Sequence, residues 1–137
     1  RITGAPGDLD QNPDYRPLLD IPNVSFDGST FEQMMPSLRA ADLVISVDTA
    51  MMHLAVAAGA STLCLASAAY VGEIVPYAPE ITPDNVRFLY QSMPCEGCLG
   101  DCHLPTEQNM YPCLARLSEE TVLATVKELM SLEAKPA

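Results

Sequence analysis

The residues best placed to do chemistry stand at one junction. Asp48 and Thr49 follow the apolar run Leu43-Val-Ile-Ser-Val47, and His53 comes four positions after Thr49. A separation of four puts Thr49 and His53 on one face of a helix's first turn. Ala50 to Ala58 is rich in helix formers, and Gly59 stands where such a helix would end. The first turn of a helix has unpaired amide N–H groups and the positive end of the dipole, which suit an anionic oxygen. The Thr49 hydroxyl and the adjoining amide at Ala50 are therefore the expected holders of a phosphate. Asp48 is open to two readings, capping the helix through its N–H groups or bonding ribose and sugar hydroxyls. A lone helical histidine is more often structural. One turn inside a phosphate-facing helix, His53 reads instead as a hydrogen-bond donor where negative charge gathers. The junction is a nucleotide or phosphate cradle.

The second group is sulfur. Cys95-x-x-Cys98-x-x-x-Cys102, followed by Cys113 and interrupted by Gly97, Gly100 and Pro112, resembles a tetrahedral metal knot. Zinc takes four thiolate or imidazole ligands, and Cys-x-x-Cys is the usual spacing of a first pair. His103 could replace one of them. Three readings stay open: a structural zinc, reduced thiols in a cysteine-rich loop, and disulfides, which a cytosolic compartment disfavours. A thioredoxin-like role is weaker, because Cys95 does not open a helix directly after a strand. Cys64 lies in mid-strand and reads as a small buried hydrophobe.

These residues need elements to hold them. Leu43 to Val47 reads as a strand buried on both faces, Ala50 to Ala58 as a helix, and Ser61 to Ala66 as a second buried strand. Together they make a β-α-β unit, and open α/β sheets bind ligands at the carboxyl edge of such strands. Upstream, Thr3-Gly-Ala-Pro-Gly-Asp8 is a glycine-rich turn after a short strand. Gln11 to Asn23 reads as an irregular connection or a helix broken by Pro13 and Pro17. Val24 to Phe26 is a short strand, and Ser29 or Thr30 caps a helix from Phe31 to Ala40, bent at Pro36. Its apolar face is Phe31, Met34, Met35 and Leu38. Ser67 to Pro79, with Tyr70, Glu73, Pro76 and Tyr77, is a loop at the functional edge. Asn85 to Tyr90 is a third strand. Ser118 opens a last helix, about Glu119 to Leu132, striped by Val122, Val126 and Leu129 with Leu123 and Met130, and Glu133 to Ala137 is a frayed tail.

The bulk numbers narrow the choices. The 137 residues are one domain's worth, 1–137, with a cysteine-rich loop at 93–113 and 48% hydrophobic residues. No apolar run approaches a membrane span, and no signal-peptide pattern opens the chain. Arg1-Ile-Thr3 looks like the end of a strand, which suggests a fragment of a longer protein. Seven basic against eighteen acidic residues give a net charge of −11, which speaks against a nucleic-acid partner. The same acidity works against an anionic ligand, so a diphosphate must be held by backbone N–H groups and a dipole worth about 0.3–1 kcal/mol per exposed site. Cations from a missing half would add to that. Neither a Walker-type loop nor paired metal-binding carboxylates appears, which disfavours a kinase or phosphatase fragment.

Asp48-Thr49-x-x-x-His53-Leu-Ala, between a buried strand and Gly59, resembles the donor-binding segment of the ADP-heptose:lipopolysaccharide heptosyltransferases, glycosyltransferase family nine. The resemblance runs from about Thr3 to about Leu129 and covers the second half of such an enzyme. It implies an α/β, Rossmann-like three-layer domain with a parallel sheet, the C-terminal half of a two-domain GT-B glycosyltransferase. It also implies Asp48, Thr49, Ala50 and His53 as donor-binding residues, His53 aiding the leaving diphosphate, and Asp8 on the donor's ribose. The catalytic base would come from the N-terminal domain, so none is expected here and the isolated chain should be inactive. The implied partners are a nucleotide-sugar donor, that N-terminal domain, and a lipid-linked or glycan acceptor such as lipopolysaccharide. The implied place is the cytoplasm, peripheral to the inner membrane. Two departures stand out: Ala50 where a glycine usually follows Asp-Thr, and Ser67-Ala-Ala-Tyr70 where a Gly-Pro-Thr turn is frequent. The reading from another class is a non-catalytic docking or assembly module, in which a cysteine knot and an acidic surface meet a partner protein.

Overall fold

Parallel strands need crossovers, and the helical segments between the apolar runs provide them. A computed structural model of the chain describes residues 1–133. The chain divides into two compact units, Arg1–Ser37 and a second beginning at Leu38.

In the first unit, β1 (Ile2–Thr3) and β2 (Phe26–Asp27) pair in parallel, with Ile2 opposite Phe26. The short strand thus forms two residues later than Val24. Between them come the glycine turn, α1 (Asp8–Gln11) and a 3₁₀ helix over Pro13–Asp20. Pro17 lies inside that helix rather than breaking it. Helix α2 (Phe31–Arg39) starts with a reciprocal cap: the Thr30 N–H donates to Gln33 Oε1 at 3.1 Å, and the Gln33 N–H reaches Thr30 Oγ1 at 3.5 Å. Met34 and Leu38 are buried, as their spacing predicts, but Phe31 is 52% exposed and leaves the apolar face.

The second unit is built on β3 (Val44–Val47), β4 (Thr62–Leu65) and β5 (Val86–Leu89), all parallel in that order. Val44 aligns with Thr62, and Thr62 with Val86. Helix α3 (Ala50–Ala58) joins β3 to β4 and ends at Gly59, whose φ of 83° is the left-handed turn that favours glycine. The short α4 (Pro112–Ala115) precedes the long α5 (Glu119–Glu133), and the Ser118 hydroxyl accepts the Thr121 N–H at 3.3 Å to cap α5.

Alternation along the strands sorts the helices into layers. Cys64 and its register partner Phe88 pack with Met52 and Val56 of α3. Arg87, next along and therefore on the opposite face, is bonded to Glu128 of α5. The second unit is a helix–sheet–helix sandwich with parallel strands, consistent with a Rossmann-like fold. β4 in the middle is buried on both faces, as expected. β3 is not: Ile45 and Val47 are 52% and 44% exposed. They lie on the α5 side, and α5 packs over β4 and β5. The α5 stripe is also shifted. Thr125 and Leu129 are buried and Val122 and Val126 half-buried, at i, i+3, i+4 and i+7 spacing, whereas Leu123 and Met130 are exposed. Of the expected tail, 133–137, Glu133 still belongs to α5 and 134–137 lie outside the described residues. Among the described residues no helix is long and apolar enough to cross a membrane.

Candidate functional site

The carboxyl ends of β3 and β4 lie side by side, and the polar residues that follow them bind each other. The Asp48 Oδ2 accepts the Ser67 hydroxyl at 2.7 Å and the Ser67 amide at 3.3 Å. Asp48 is thus spent on bracing the next strand's exit loop and does not cap α3. That helix begins at an extended Thr49 (φ −124°, ψ 172°) with no side-chain cap, and Thr49 and Ala50 are exposed. The amides of its first turn are thus without a capping side chain.

One turn in, His53 is half-buried and oriented by an aromatic chain. Its Nδ1 is 2.6 Å from the Tyr77 hydroxyl, and the two rings stack at 5.6 Å with 23° between planes. Tyr77 in turn meets Phe88 edge-on at 5.0 Å. The same hydroxyl is 3.8 Å from the Met52 sulfur, a much weaker acceptor than an imidazole nitrogen. Burial, followed by the charge of Cys64, pushes the Tyr77 phenol up, so it keeps its proton. We assign that proton to the bond with Nδ1, which leaves Nε2 of His53 as the N–H donor. Tyr77 is the partner of His53 that spacing missed: it is 24 positions away, and only its place in a loop at this edge marks it.

Asp8 belongs to the first unit and holds its own turn. Its Oδ2 accepts the Ala5 amide at 2.7 Å, and a Cβ on Gly4 would come within 2.6 Å of that oxygen. Cys64 is a buried strand residue whose thiol is pushed up to about 12, chiefly by burial and then by the charge of Asp48. It is inert, as its position predicts.

Cys95, Cys98, Cys102 and Cys113 line a single cavity of about 210 Å³. All five cysteines are free thiols. Burial first, then the charges of Cys98 and Cys102, push the Cys95 thiol up, so these sulfurs interact electrostatically. Among the described residues no three His, Cys, Asp or Glu side chains are grouped as they would be around a metal ion. His103, the alternative ligand, points away: its side chain is 84% exposed and 4.0 Å from Asp101.

Four arginines are engaged with carboxylates, Arg1 with Asp27, Arg16 with Asp10, Arg87 with Glu128 and Arg116 with Glu107.

No curated protein and no solved structure matches the chain. The family model described as glycosyltransferase family 9 (heptosyltransferase) matches residues 28–98, more than half of the sequence, and spans β3, α3, β4, β5 and the Asp48–His53 segment. That match, over more than half of the sequence, places the chain in glycosyltransferase family 9.

Proposed function

We propose that this chain is the donor-binding half of a glycosyltransferase that moves a heptose-like sugar from a nucleotide diphosphate to lipopolysaccharide or another glycan acceptor. The observation that carries the reading is the start of α3, exposed and free of any capping side chain, with His53 one turn behind it. In this reading the amides of Ala50 and Met51 and the Thr49 hydroxyl hold the diphosphate. The Nε2–H of His53 donates to the oxygen on which charge develops as the sugar leaves. Asp48, already bonded to Ser67, keeps the loop after β4 in place and can still accept a sugar hydroxyl. The acceptor's proton goes to a base outside these residues, supplied by a facing N-terminal domain in a GT-B arrangement. The protein then works in the cytoplasm, at the inner face of the membrane that carries its acceptor. Membership of the family weighs against the docking-module alternative.

The test is a titration of the chain with ADP, UDP and GDP, followed through the amide resonances of Thr49, Ala50 and His53. Saturable shifts at these residues with one nucleotide preferred are expected. Unmoved resonances at millimolar concentrations of all three would remove the proposal.

A further inference from the structure

We propose that Cys95, Cys98, Cys102 and Cys113 bind one zinc ion inside the cavity they line, and that this knot holds the loop after β4. Spacing alone leaves zinc, free thiols and disulfides open. One structural observation favours zinc, and a second sets disulfides aside. All four residues converge on the same cavity although Cys113 comes from α4, well beyond the Cys95–Cys102 loop. No disulfide joins any of them.

The loop itself is built of turns. Gly97, Leu99 and Gly100 all have left-handed φ values, of 75°, 54° and 89°. A left-handed leucine is uncommon and folds the chain back on itself between two of the cysteines. The segment has little apolar packing: Leu99 and Leu104 are exposed, and beside it lies a small buried cluster of Met93, Cys113 and Ala68 with half-buried Cys95 and Leu114 against it. A loop so poor in core is the kind that a metal holds together. The four sulfurs are not gathered around a point in this structure, so metal binding requires them to move inward. Each thiol releases its proton to solvent, and sulfur–zinc bonds replace the S–H bonds without any change of oxidation state.

The position gives the knot its task. The Gly97 N–H donates to the Ala68 carbonyl at 2.9 Å, and the Leu99 N–H to the Ala69 carbonyl at 3.0 Å. Ala68 and Ala69 directly follow Ser67, the partner of Asp48. Backbone bonds therefore run from Gly97 and Leu99 to the residues after β4, and the Asp48 carboxylate, bonded to Ser67, continues the link to the end of β3. These cysteines are positioning residues for that edge.

The experiment uses the whole chain, reduced and stripped of metal. Zinc is titrated against a chelating dye, and Co²⁺ is added in parallel for its spectrum. One tightly held zinc per chain is expected, with intense sulfur-to-cobalt charge-transfer bands typical of a tetrahedral thiolate site. Cys98→Ser and Cys102→Ser should lose the bound metal, while Cys64→Ala keeps it. Absence of metal uptake by the folded, reduced wild-type chain overturns the proposal, and so does a cobalt spectrum without thiolate bands. Mass spectrometry showing these cysteines paired as disulfides in the protein isolated from the cytoplasm also overturns it. On zinc addition the amides of Ser67 to Ala69 should shift, and failure of these resonances to move refutes the positioning role. Metal uptake is read without nucleotide, so a chain that binds zinc and no ADP would sink the donor-site reading and leave this one standing.

Discussion

A histidine that donates one defined proton needs something on its other nitrogen, and Tyr77 supplies it. Tyr77→Phe keeps the ring stack and removes the hydroxyl. It should cost about 1 kcal/mol in stability, the usual net worth of one hydrogen bond. In the transferase reaction proposed above it should also lower kcat, because the tautomer of His53 is no longer set. His53→Ala should do more, on the order of 10²-fold in kcat, the scale seen when one charge-stabilising donor is lost. Steady-state kinetics with both variants would show this, and an unchanged kcat for His53→Ala would remove its assigned role. Asp48→Ala takes a charged acceptor from Ser67, which is nearly buried. A loss of about 1.5–3 kcal/mol is expected in urea unfolding, as for other hydrogen bonds to a charged group. At this scale the sequence was informative for residue types and poor for partners. Asp48, Thr49, Ala50 and His53 are adjacent in the chain, so helical spacing brings them together. Tyr77 and Ser67 come from later loops, and no local period encodes a meeting across strands.

Elements were legible wherever one period dominated. α3 with its terminal Gly59, β4, β5 and α5 lie where apolar spacing puts them. Exposure was harder to read, because it depends on which neighbour covers which face. Ile45 and Val47 look like core until α5 is seen to pack over β4 and β5, and Phe31 fails for the same kind of reason. The left-handed glycine gives a clean test. Nothing lies within 4 Å of a Cβ placed on Gly59, so Gly59→Ala suffers backbone strain alone. About 1 kcal/mol of destabilisation is expected, with the urea dependence unchanged. A second test concerns acid. The Arg116 hydrogen bond, with its charge, holds the Glu107 carboxyl below its ordinary value of 4.5. A carboxyl depressed on folding stabilises the chain above that ordinary value, and the contribution fades as pH falls through the lowered one. Glu107→Gln should therefore weaken the wild-type chain slightly near neutrality and shrink its loss of stability on acidification. Unfolding curves at pH 7 and pH 3 measure both arms; the pair is exposed, so the effect is small.

Over the whole molecule, charge is the dominant fact. A net charge of −11 repels a nucleotide diphosphate at long range, while the helix start attracts it only at close quarters. Added salt screens the first more than the second, since the screening length is about 8 Å near physiological ionic strength. Raising salt from 20 to 200 mM should therefore tighten ADP binding, the reverse of a lysine-lined pocket, and calorimetry would detect the sign. The division into two units had no counterpart in composition. It falls at Ser37–Leu38, inside α2, where no glycine-rich or polar linker marks a boundary.

The aromatic contact at His53 has an optical use. The sequence contains no tryptophan, so its ultraviolet emission comes from five tyrosines. One of them, Tyr77, shares a 2.6 Å hydrogen bond with the imidazole assigned to meet the ligand. Arrival of a nucleotide that polarises this ring should alter the fluorescence of its phenolic neighbour. The unlabelled protein would then report its own occupancy, and the signal should vanish in Tyr77→Phe.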